Sequence, residues 1–246
     1  MSTTIRNALV TGATSGIGQA IAEILAAQGH RVVVSGRDRK RGEQVVGRIA
    51  AAGGKAHFVA ADLASLPALN ALIAGAKECV GNIDILVNNA GIFSFGPTVE
   101  ATESGFDAMY GTNVKAPFFL TARLAGDMAA RGWGRIVNVT TMVAHFGMPG
   151  AAIYGSSKAA LRLLTQVWAA EFGPSGVTVN AVAPGPISTP GTEVMAEALE
   201  HLASILPARR VGKPEEIASA VSYLVSDQAG YVNGATLNVD GGRTAV

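Results

Sequence analysis

Short runs of β-branched and aliphatic residues alternate along this chain with longer segments of helical periodicity. The first run, at residues 8–10, leads through a glycine-rich loop into a helical pattern that stops at Gly29. Comparable runs follow at residues 32–34, 57–59, 83–87, 136–139, 177–179 and 235–239. Strands that are apolar on both faces, with helices between them, are typical of a parallel sheet covered on both sides. The pattern predicts an α/β fold with a doubly wound parallel sheet.

Length and composition indicate one domain rather than several. Residues 1–246 show no internal repeat and no linker-like change in composition, and an α/β fold of this size commonly stays a single unit. Apolar residues make up 49% of the chain and charged residues only 15%, which excludes global disorder. Such an apolar excess predicts a large core and helix faces buried between subunits, so we expect an oligomer.

Charge and cysteine usage narrow the partners and the compartment. The 19 basic and 18 acidic residues leave a net charge of +1, so no basic excess suggests a nucleic-acid ligand. The apolar stretches are shorter than the roughly 18 residues of a membrane span, and the start of the chain does not resemble a signal peptide. Cys79, the single cysteine, fits a reducing compartment, and we predict a cytoplasmic protein.

A glycine-rich loop at residues 11–18 follows the first predicted strand. Its glycines would allow a tight turn, a close backbone approach to a pyrophosphate and close helix packing, while the next helix start offers unpaired N–H groups to an anion. The alternative is an ordinary turn, since the spacing differs from the G-x-G-x-x-G fingerprint. The position after strand one favours a phosphate site, whose predicted contacts are Gly12, Thr14, Ser15, Gly16, Ile17 and Gly18.

The end of the second predicted strand bears on which dinucleotide would bind. A carboxylate there would grip the ribose hydroxyls of NAD(H), whereas an arginine would favour the 2′-phosphate of NADP(H). Gly36 stands where an acid is expected and Arg37 follows it, so NADP(H) is favoured and NAD(H) remains an alternative. Arg37 would otherwise only solvate a helix start. Asp62, after the third strand, would hydrogen-bond an adenine amino group or cap a helix.

Tyr154 and Lys158 lie four residues apart on a predicted helix, which puts both side chains on one face. A free tyrosine has a pKa of about 10, and a nearby ammonium lowers that pKa by stabilising the phenolate. We therefore expect Tyr154 to protonate a carbonyl oxygen during hydride transfer and to act as the base in reverse. The pair alone is weak evidence, because a surface tyrosine packed on a lysine stem has the same spacing.

Further polar residues stand near the strand ends. Thr141 precedes this helix and is a candidate hydroxyl donor to the same carbonyl oxygen. Thr140 should face the other way, because side chains alternate along a strand. Asn113 interrupts an otherwise apolar helical stretch, either for function or as a helix-bending residue satisfied by backbone. Other candidate cofactor contacts are the small and polar residues Asn89, Ala90, Gly91, Pro184, Gly185, Ile187 and Thr189.

The motifs at residues 11–18, 88–91, 154–158 and 184–189 occur in the order and at the spacings of the short-chain dehydrogenase/reductase family, which the chain resembles over essentially its whole length. The resemblance implies a Rossmann-like domain of about seven strands that binds NAD(P)(H) and interconverts carbonyls and alcohols. It implies that Tyr154 is the acid/base, that Lys158 holds the nicotinamide ribose and lowers the tyrosine pKa, and that Asn113 supports a water relay.

The same resemblance implies further roles and an assembly. Ile187 and Thr189 would position the nicotinamide, and Asp62 with Leu63 would clamp the adenine. Members usually form homotetramers through helix faces and the C-terminal region. The chain departs from the family in carrying Thr141 where serine is usual. The extra methyl stiffens the side chain and narrows the pocket, so we expect activity with an altered substrate tolerance.

The residues after the strand ends should line a substrate pocket under a flexible lid at about residues 189–210. The predicted pocket residues are Phe93, Val143, His145, Met148, Ile153 and Pro186. They are mostly apolar, and His145 either touches substrate or is a structural loop residue. The other histidines lack the spacing of metal ligands, so no metal site is proposed.

Three functions remain open from the sequence. The first is an NADP(H)-dependent oxidoreductase of small apolar ketones and secondary alcohols. The second is a 3-oxoacyl-(acyl-carrier-protein) reductase, which needs a basic patch for an acidic carrier protein; Arg123, Arg131 and Arg135 could contribute, but Ser175 stands where such reductases often have arginine. The third is a non-catalytic nucleotide-binding protein, which the presence of Tyr154, Lys158 and Asn113 disfavours.

Overall fold

Seven strands, all parallel to their neighbours, form one sheet in the computed structural model, which describes residues 4–246. The strands are β1 (Asn7–Thr11), β2 (Arg31–Gly36), β3 (Lys55–Ala60), β4 (Ile85–Asn88), β5 (Gly134–Val139), β6 (Val177–Pro184) and β7 (Thr236–Val239). Their order across the sheet is β3-β2-β1-β4-β5-β6-β7. This order confirms the predicted doubly wound sheet. The expectation about the start of the chain falls partly on residues 1–3, which lie outside the described residues.

Helices cover both faces of the sheet. They are α1 (Gly16–Ala27), α2 (Arg39–Ala51), α3 (Leu66–Val80), α4 (Glu103–Tyr110), α5 (Ala116–Ala130), α6 (Ala152–Phe172), α7 (Ala196–Ser204) and α8 (Pro214–Val225). The core on one face joins residues of α1, α2 and α8, and the core on the other joins residues of α3, α5 and α6. Among residues 4–246, no helix is both long and apolar enough to span a bilayer.

The strand residues alternate between these two cores. In β1, Ala8 and Val10 pack with the α1 side, whereas Leu9 packs with the α3 side. All three side chains are fully buried, and burial of one such aliphatic side chain contributes about 1.5–3 kcal/mol. Because both faces of the sheet are covered, the strands read in the sequence as continuous apolar runs.

The sheet order places a crevice where the chain changes direction. The chain moves outward from β1 through β2 to β3, and then returns to add β4 on the other side of β1. The connections that leave the C-terminal ends of β1 and β4 therefore diverge to opposite faces, which opens a ligand crevice at that edge. The glycine loop and residues 88–91 both lie at this edge.

The observed elements differ from the sequence expectation at two points. The apolar run begins at residue 83, whereas β4 begins at Ile85. Asp84 precedes the strand, and its carboxylate accepts from the Asn7 backbone N–H at 3.0 Å. Asn113 lies in a single π-helical turn, Gly111–Lys115, between α4 and α5. Such turns insert one extra residue into a helix and occur frequently at functional sites.

Candidate active site

The glycine loop leaves the N-terminus of α1 open. Gly12 and Gly16 adopt positive φ angles of 63° and 55°, which non-glycine residues rarely take. A Cβ atom at Gly18 would stand 2.3 Å from the Gly12 backbone oxygen, so the helix approaches the loop only without a side chain there. Within the described chain, no side chain caps the first turn of α1, although side chains cap α2, α3 and α4. The first N–H groups of α1 therefore face the crevice unpaired by a cap.

Asn89 ties the end of β4 to the glycine loop. Its Nδ2 donates to the backbone oxygens of Thr11 (2.9 Å) and Gly12 (3.1 Å). The Thr11 hydroxyl in turn accepts from the backbone N–H groups of Asn89 and Ala90, both at 3.1 Å. Asn89 thus fixes the shape of the loop through its Nδ2, and its predicted cofactor contact stays a prediction.

A cavity of about 660 Å³, here called the glycine-loop cavity, lies between the ends of β1, β2, β3 and β4. The predicted cofactor residues that line it are Gly12, Thr14, Ser15, Arg37, Asp62, Leu63, Asn89, Ala90 and Gly91. Three charged residues also line this cavity and were not predicted from the sequence: Asp38, Arg41 and Asp107. Asp38 and Arg41 carried a signal, because they fall in the dense charged run that follows β2.

Of the charged residues that follow β2, Arg37 forms no ion pair within residues 4–246, whereas Asp38 and Arg41 pair with each other. Asp38 caps α2 by accepting from the Arg41 backbone N–H at 3.0 Å, and it also pairs with the Arg41 guanidinium at 2.7 Å. The Arg41 backbone N–H is the leading cause that holds the pKa of Asp38 below its ordinary value. Arg37 is exposed and takes part in none of the ion pairs found among residues 4–246.

Asp62 is not a helix cap. Ser65 caps α3 by accepting from the Ala68 backbone N–H, at 3.4 Å. Asp62 instead accepts from the Ala64 backbone N–H at 3.3 Å and lines the glycine-loop cavity. Of the two readings left open for Asp62, the structure therefore supports the one that directs it toward the cavity.

A second cavity, of about 480 Å³, contains the predicted proton-transfer residues and is here called the Tyr154 cavity. It shares Asn89, Gly91 and Ile92 with the glycine-loop cavity, so the two adjoin. The predicted residues that line it are Ile17, Asn89, Gly91, Phe93, Thr141, Val143, Met148, Tyr154, Lys158, Pro184, Gly185, Pro186, Ile187 and Thr189. Gly16 and Gly18 lie behind these walls, where Gly16 approaches Thr189 and Gly18 approaches Asn89.

Tyr154 is enclosed by aromatic rings. Its ring meets those of Phe95 and Phe93 edge-on, with centroids 5.7 Å and 6.1 Å apart. Burial raises the pKa of the Tyr154 phenol above its ordinary value, and a hydrogen bond with Thr141 opposes this rise. The expected lowering of the Tyr154 pKa is therefore wrong for the protein alone, because desolvation of the phenol outweighs the effect of the Thr141 hydroxyl.

Lys158 is buried with its ammonium bonded to the sheet. Its Nζ donates to the Val139 backbone oxygen at 2.8 Å. Burial lowers the pKa of Lys158 to about 8. A Cβ atom at Gly91 would stand 3.1 Å from this Nζ, so the glycine makes room for the lysine beside the end of β4.

Asn113 joins three segments of the site from its π-helical turn. Its Oδ1 accepts from the Ile92 backbone N–H and its Nδ2 donates to the Ile92 backbone oxygen, both at 2.9 Å. The same Nδ2 donates to the Ser157 hydroxyl at 3.0 Å. Asn113 is fully buried, so it holds Ile92, which lines both cavities, in register with α6.

The hydroxyls of the two threonines at the end of β5 have different partners, although both residues line the Tyr154 cavity. Thr140 donates its hydroxyl to the Val182 backbone oxygen at 3.0 Å. The Thr141 hydroxyl accepts from the Val143 backbone N–H at 3.4 Å and also interacts with the Tyr154 phenol. Thr141 is thus the hydroxyl that stands beside the phenol.

The segment after β6 covers the Tyr154 cavity. Thr192 donates its hydroxyl to the Ile187 backbone oxygen at 2.9 Å and accepts from the Thr189 backbone N–H at 3.0 Å, which fixes the start of the segment. A 3₁₀ turn, Pro190–Met195, and α7 follow. Three side chains of this segment line the cavity and were not predicted: Met195, Leu199 and Leu202. Their spacing of four and then three residues is typical of one helix face.

Two predicted pocket residues lie outside the Tyr154 cavity. His145 is largely exposed and does not line the Tyr154 cavity. Partial desolvation of its ring, followed by the Arg162 charge, lowers the pKa of the imidazole. Ile153 lines a separate cavity of about 230 Å³ behind Phe95. Ile153 and Tyr154 are neighbours on α6 but line different cavities, which sequence spacing does not reveal. Residues 4–246 hold no cluster of three potential metal ligands.

Comparisons with known proteins show which family the chain resembles. A family model described as enoyl-(acyl carrier protein) reductase matches residues 12–244. The cyclopentanol dehydrogenase of Comamonas testosteroni is 36% identical over 244 residues, which cover 96% of each chain. The 3-oxoacyl-(acyl-carrier-protein) reductase of Thermotoga maritima is 36% identical over 235 residues, which cover 95% of this chain and 96% of the relative.

Solved structures show the same likeness. A short-chain dehydrogenase/reductase family protein is 48% identical, covers 100% of each chain and superposes with a TM-score of 0.92. An actinorhodin polyketide ketoreductase variant solved with NADPH is 34% identical, covers 98% of each chain and has a TM-score of 0.93. The chain belongs to the short-chain dehydrogenase/reductase family of oxidoreductases.

Proposed function

We propose that this protein is an NADP(H)-dependent oxidoreductase that interconverts small apolar ketones and secondary alcohols. The observation that carries the proposal is the Tyr154 cavity, where a phenol, a hydroxyl and a buried ammonium stand in an otherwise largely apolar chamber beside the glycine-loop cavity.

The residues around the glycine-loop cavity fit a dinucleotide. The open N-terminus of α1 suits a pyrophosphate, and a Cβ atom at Gly12 would stand 2.8 Å from the Ala90 Cα, so both strand ends offer bare backbone. Arg37 favours a 2′-phosphate, because the neighbouring carboxylate of Asp38 is already engaged by Arg41. When bound, a reduced nicotinamide supplies hydride, which no side chain of the protein can provide.

Tyr154 and Thr141 supply the proton chemistry. The phenol donates its proton to the carbonyl oxygen as the carbonyl carbon is reduced, and the phenolate takes the proton back in the reverse reaction. The Thr141 hydroxyl hydrogen-bonds the same oxygen and stabilises the charge that develops on it. In the protein alone, burial keeps the pKa of Tyr154 high, and the Thr141 hydroxyl opposes this effect.

The cavity lining supports a small apolar substrate. Phe93, Phe95 and Val143 form one side of the Tyr154 cavity, and Met195 and Leu199 of the lid form another. Lys158 is the sole charged residue among the described residues that line it. A substrate carboxylate or phosphate would have no second cation to pair with, whereas an alkyl or aryl ketone would bury its substituents.

The carrier-protein reaction is the second candidate, supported by the similarity to a 3-oxoacyl-(acyl-carrier-protein) reductase. Two of the three basic residues expected to attract a carrier, Arg131 and Arg135, lie away from the site. Arg131 pairs with Asp84 at 3.2 Å before β4, and Arg135 is buried at the start of β5, so both lie at the edge of the sheet opposite the crevice. This placement favours the small-ketone reaction.

A homotetramer is also part of the proposal. Among the exposed large apolar residues, Phe118, Leu163 and Val167 lie on α5 and α6, whereas Tyr223 and Leu237 lie on α8 and β7. Two separate apolar faces would allow two kinds of contact between copies, as a tetramer requires. Light scattering on the purified protein measures the subunit number directly.

Turnover of a ketone panel tests the proposed reaction. Acetophenone and cyclopentanone should be reduced with NADPH, whereas a 3-oxoacyl thioester on acyl carrier protein should react more slowly. Tyr154→Phe should abolish turnover and leave NADPH binding largely intact. Failure of the wild-type protein to reduce any ketone or thioester would support the non-catalytic alternative.

A pair of arginine variants tests the choice of nucleotide. Arg37→Ala should weaken NADPH binding and leave NADH binding little changed. Arg39→Ala is the matched control, because Arg39 is exposed on the same segment but pairs with Glu43 at 3.6 Å. A several-fold preference of the wild-type protein for NADH would contradict the assignment.

A further inference from the structure

Phe95 separates two cavities. It lines the Tyr154 cavity of about 480 Å³ and also the cavity of about 230 Å³ that contains Ile153, here called the side cavity. Within residues 4–246, no other residue lines both. The Phe95 ring lies edge-on to Tyr154, so the side cavity begins directly behind a ring that touches the proposed proton donor.

The rest of the partition is made by chain segments that run along it. In each of the pairs 93–94, 149–150 and 153–154, one residue lines the Tyr154 cavity and its neighbour lines the side cavity. These segments are held by backbone contacts, since the Gly96 N–H donates to the Gly150 oxygen at 2.9 Å. Gly150 has a φ of 81°, which suits glycine at this crossing.

Phe95 itself is held far less firmly than this backbone. It is 42% exposed, and its ring makes an edge-on contact with Tyr154 and a tilted contact with Phe93. The partition therefore consists of a fixed backbone and one side chain that can be removed without opening the main core.

We propose that Phe95 is the specificity-determining residue for the second substituent of the substrate carbonyl. The ring closes the side cavity, so the wild-type protein accepts ketones with one small substituent, and its loss admits ketones with a ring on each side. A cavity of about 150 Å³ is sufficient to bind benzene, so the side cavity can hold a second ring. This inference rests on the proposed function.

Phe95→Ala, assayed with acetophenone and benzophenone, tests the proposal. The ratio of kcat/KM for benzophenone to that for acetophenone should rise about tenfold or more, because the second ring gains a place to bind. Phe93→Ala is the matched control, since Phe93 also contacts Tyr154 but lines only the Tyr154 cavity. Its ratio should change little.

Refilling the side cavity separates the size effect from a general loosening of the site. Ala101 lines the side cavity away from Tyr154, and Ala101→Phe should cancel the gain when added to Phe95→Ala. An unchanged ratio in Phe95→Ala, an equal rise in Phe93→Ala, or a gain that survives Ala101→Phe would overturn the proposal.

Calorimetry keeps the inference separate from the reaction assignment. Benzophenone binding to each variant is measured in the presence of NADP⁺, so the result does not depend on turnover. If the wild-type protein reduces neither ketone but Phe95→Ala alone gains benzophenone binding, the proposed reaction fails while the role of Phe95 stands. If acetophenone is reduced but Phe95→Ala gains neither turnover nor binding, the role of Phe95 fails.

Discussion

The buried ammonium of Lys158 donates to the Val139 backbone oxygen at 2.8 Å, so the site's one internal cation is tied to the end of β5. Burial lowers the pKa of Lys158 from 10.5 to about 8. The folded protein thus holds a proton on Lys158 less strongly than the unfolded chain does. Below about pH 8 both states carry the charge, and folding bears the full cost of burying it.

Lys158→Met should therefore abolish turnover yet stabilise the protein at pH 7. A shift of this size corresponds to about 3 kcal/mol, and the lost bond to Val139 reduces the expected gain in unfolding free energy to about 1–3 kcal/mol. The advantage of the variant should shrink as pH rises from 8 to 10.5, because only the unfolded wild-type chain still binds the proton. Urea unfolding of both proteins at one protein concentration measures this difference in unfolding free energy at each pH.

Exposed Lys55 provides the control for this comparison. Lys55→Met should leave the unfolding free energy within about 0.5 kcal/mol of the wild-type value at both pH 7 and pH 10. A Lys158→Met protein that is less stable than wild type at pH 7 would show that the hydrogen bond to Val139 outweighs the cost of the buried charge.

Thr141→Ala should lower kcat/KM by about 10²–10³-fold, because it removes a preorganised donor to the carbonyl oxygen. Thr141→Ser should retain most activity, since serine keeps the hydroxyl and loses only the methyl. Thr140→Val is the matched control, because the Thr140 hydroxyl is engaged by the Val182 backbone oxygen. Steady-state rates with acetophenone distinguish the three, and a near-neutral Thr141→Ala would exclude the hydroxyl as the donor.

Sequence patterns predicted the parts of this molecule that depend on local chemistry. The seven strands were recognisable because both faces of the sheet are covered, which makes each strand a continuous apolar run. Tyr154 and Lys158 reached the same cavity because a spacing of four keeps two side chains on one helix face.

The parts that depend on distant packing were not predictable. The direction of the Tyr154 pKa follows from its burial between Phe93, Phe95 and the lid, which no local pattern encodes. The hydrogen bonds from the Asn89 Nδ2 to the glycine loop, 77 and 78 residues away in the chain, were not predicted, and its cofactor contact stays a prediction. Ile153 was misplaced because adjacent residues at the start of α6 line different cavities, and His145 lines neither of them.

Asn113→Ala should destabilise the protein and loosen both cavities. It leaves the Ile92 N–H and oxygen and the Ser157 hydroxyl without their partner, and an unsatisfied buried polar group costs about 1–3 kcal/mol. We expect a loss of at least about 2 kcal/mol in unfolding free energy, together with faster hydrogen exchange at the Ile92 amide.

Asn233 offers a matched comparison for Asn113. It likewise bridges two backbone groups, accepting from Val179 at 2.8 Å and donating to the Ala169 oxygen at 3.1 Å, but it lines neither cavity. Asn233→Ala should cost similar stability and leave exchange at Ile92 unchanged. If both variants affected Ile92 equally, Asn113 would have no specific positioning role.

His30 should make the protein less stable in mild acid. Its ring is buried, and Nδ1 accepts from the Arg6 backbone N–H at 3.2 Å, which requires that nitrogen to be unprotonated. Burial, followed by the Arg6 charge, lowers the pKa of His30 below 6.5, although Asp227 and Asp84 act in the opposite direction. As pH falls below 6.5, the unfolded chain binds a proton that the folded protein resists, so stability declines until the folded pKa is passed.

Denaturant unfolding between pH 7.5 and pH 5 measures this dependence. The slope contributed by His30 can reach about 1.4 kcal/mol per pH unit, and His30→Gln should remove it while glutamine keeps an acceptor for Arg6. A smaller slope of the same sign should remain, because the pKa of His145 is also lowered. An identical curve for His30→Gln and wild type would mean that the folded protein accepts the proton on His30 without breaking the contact to Arg6.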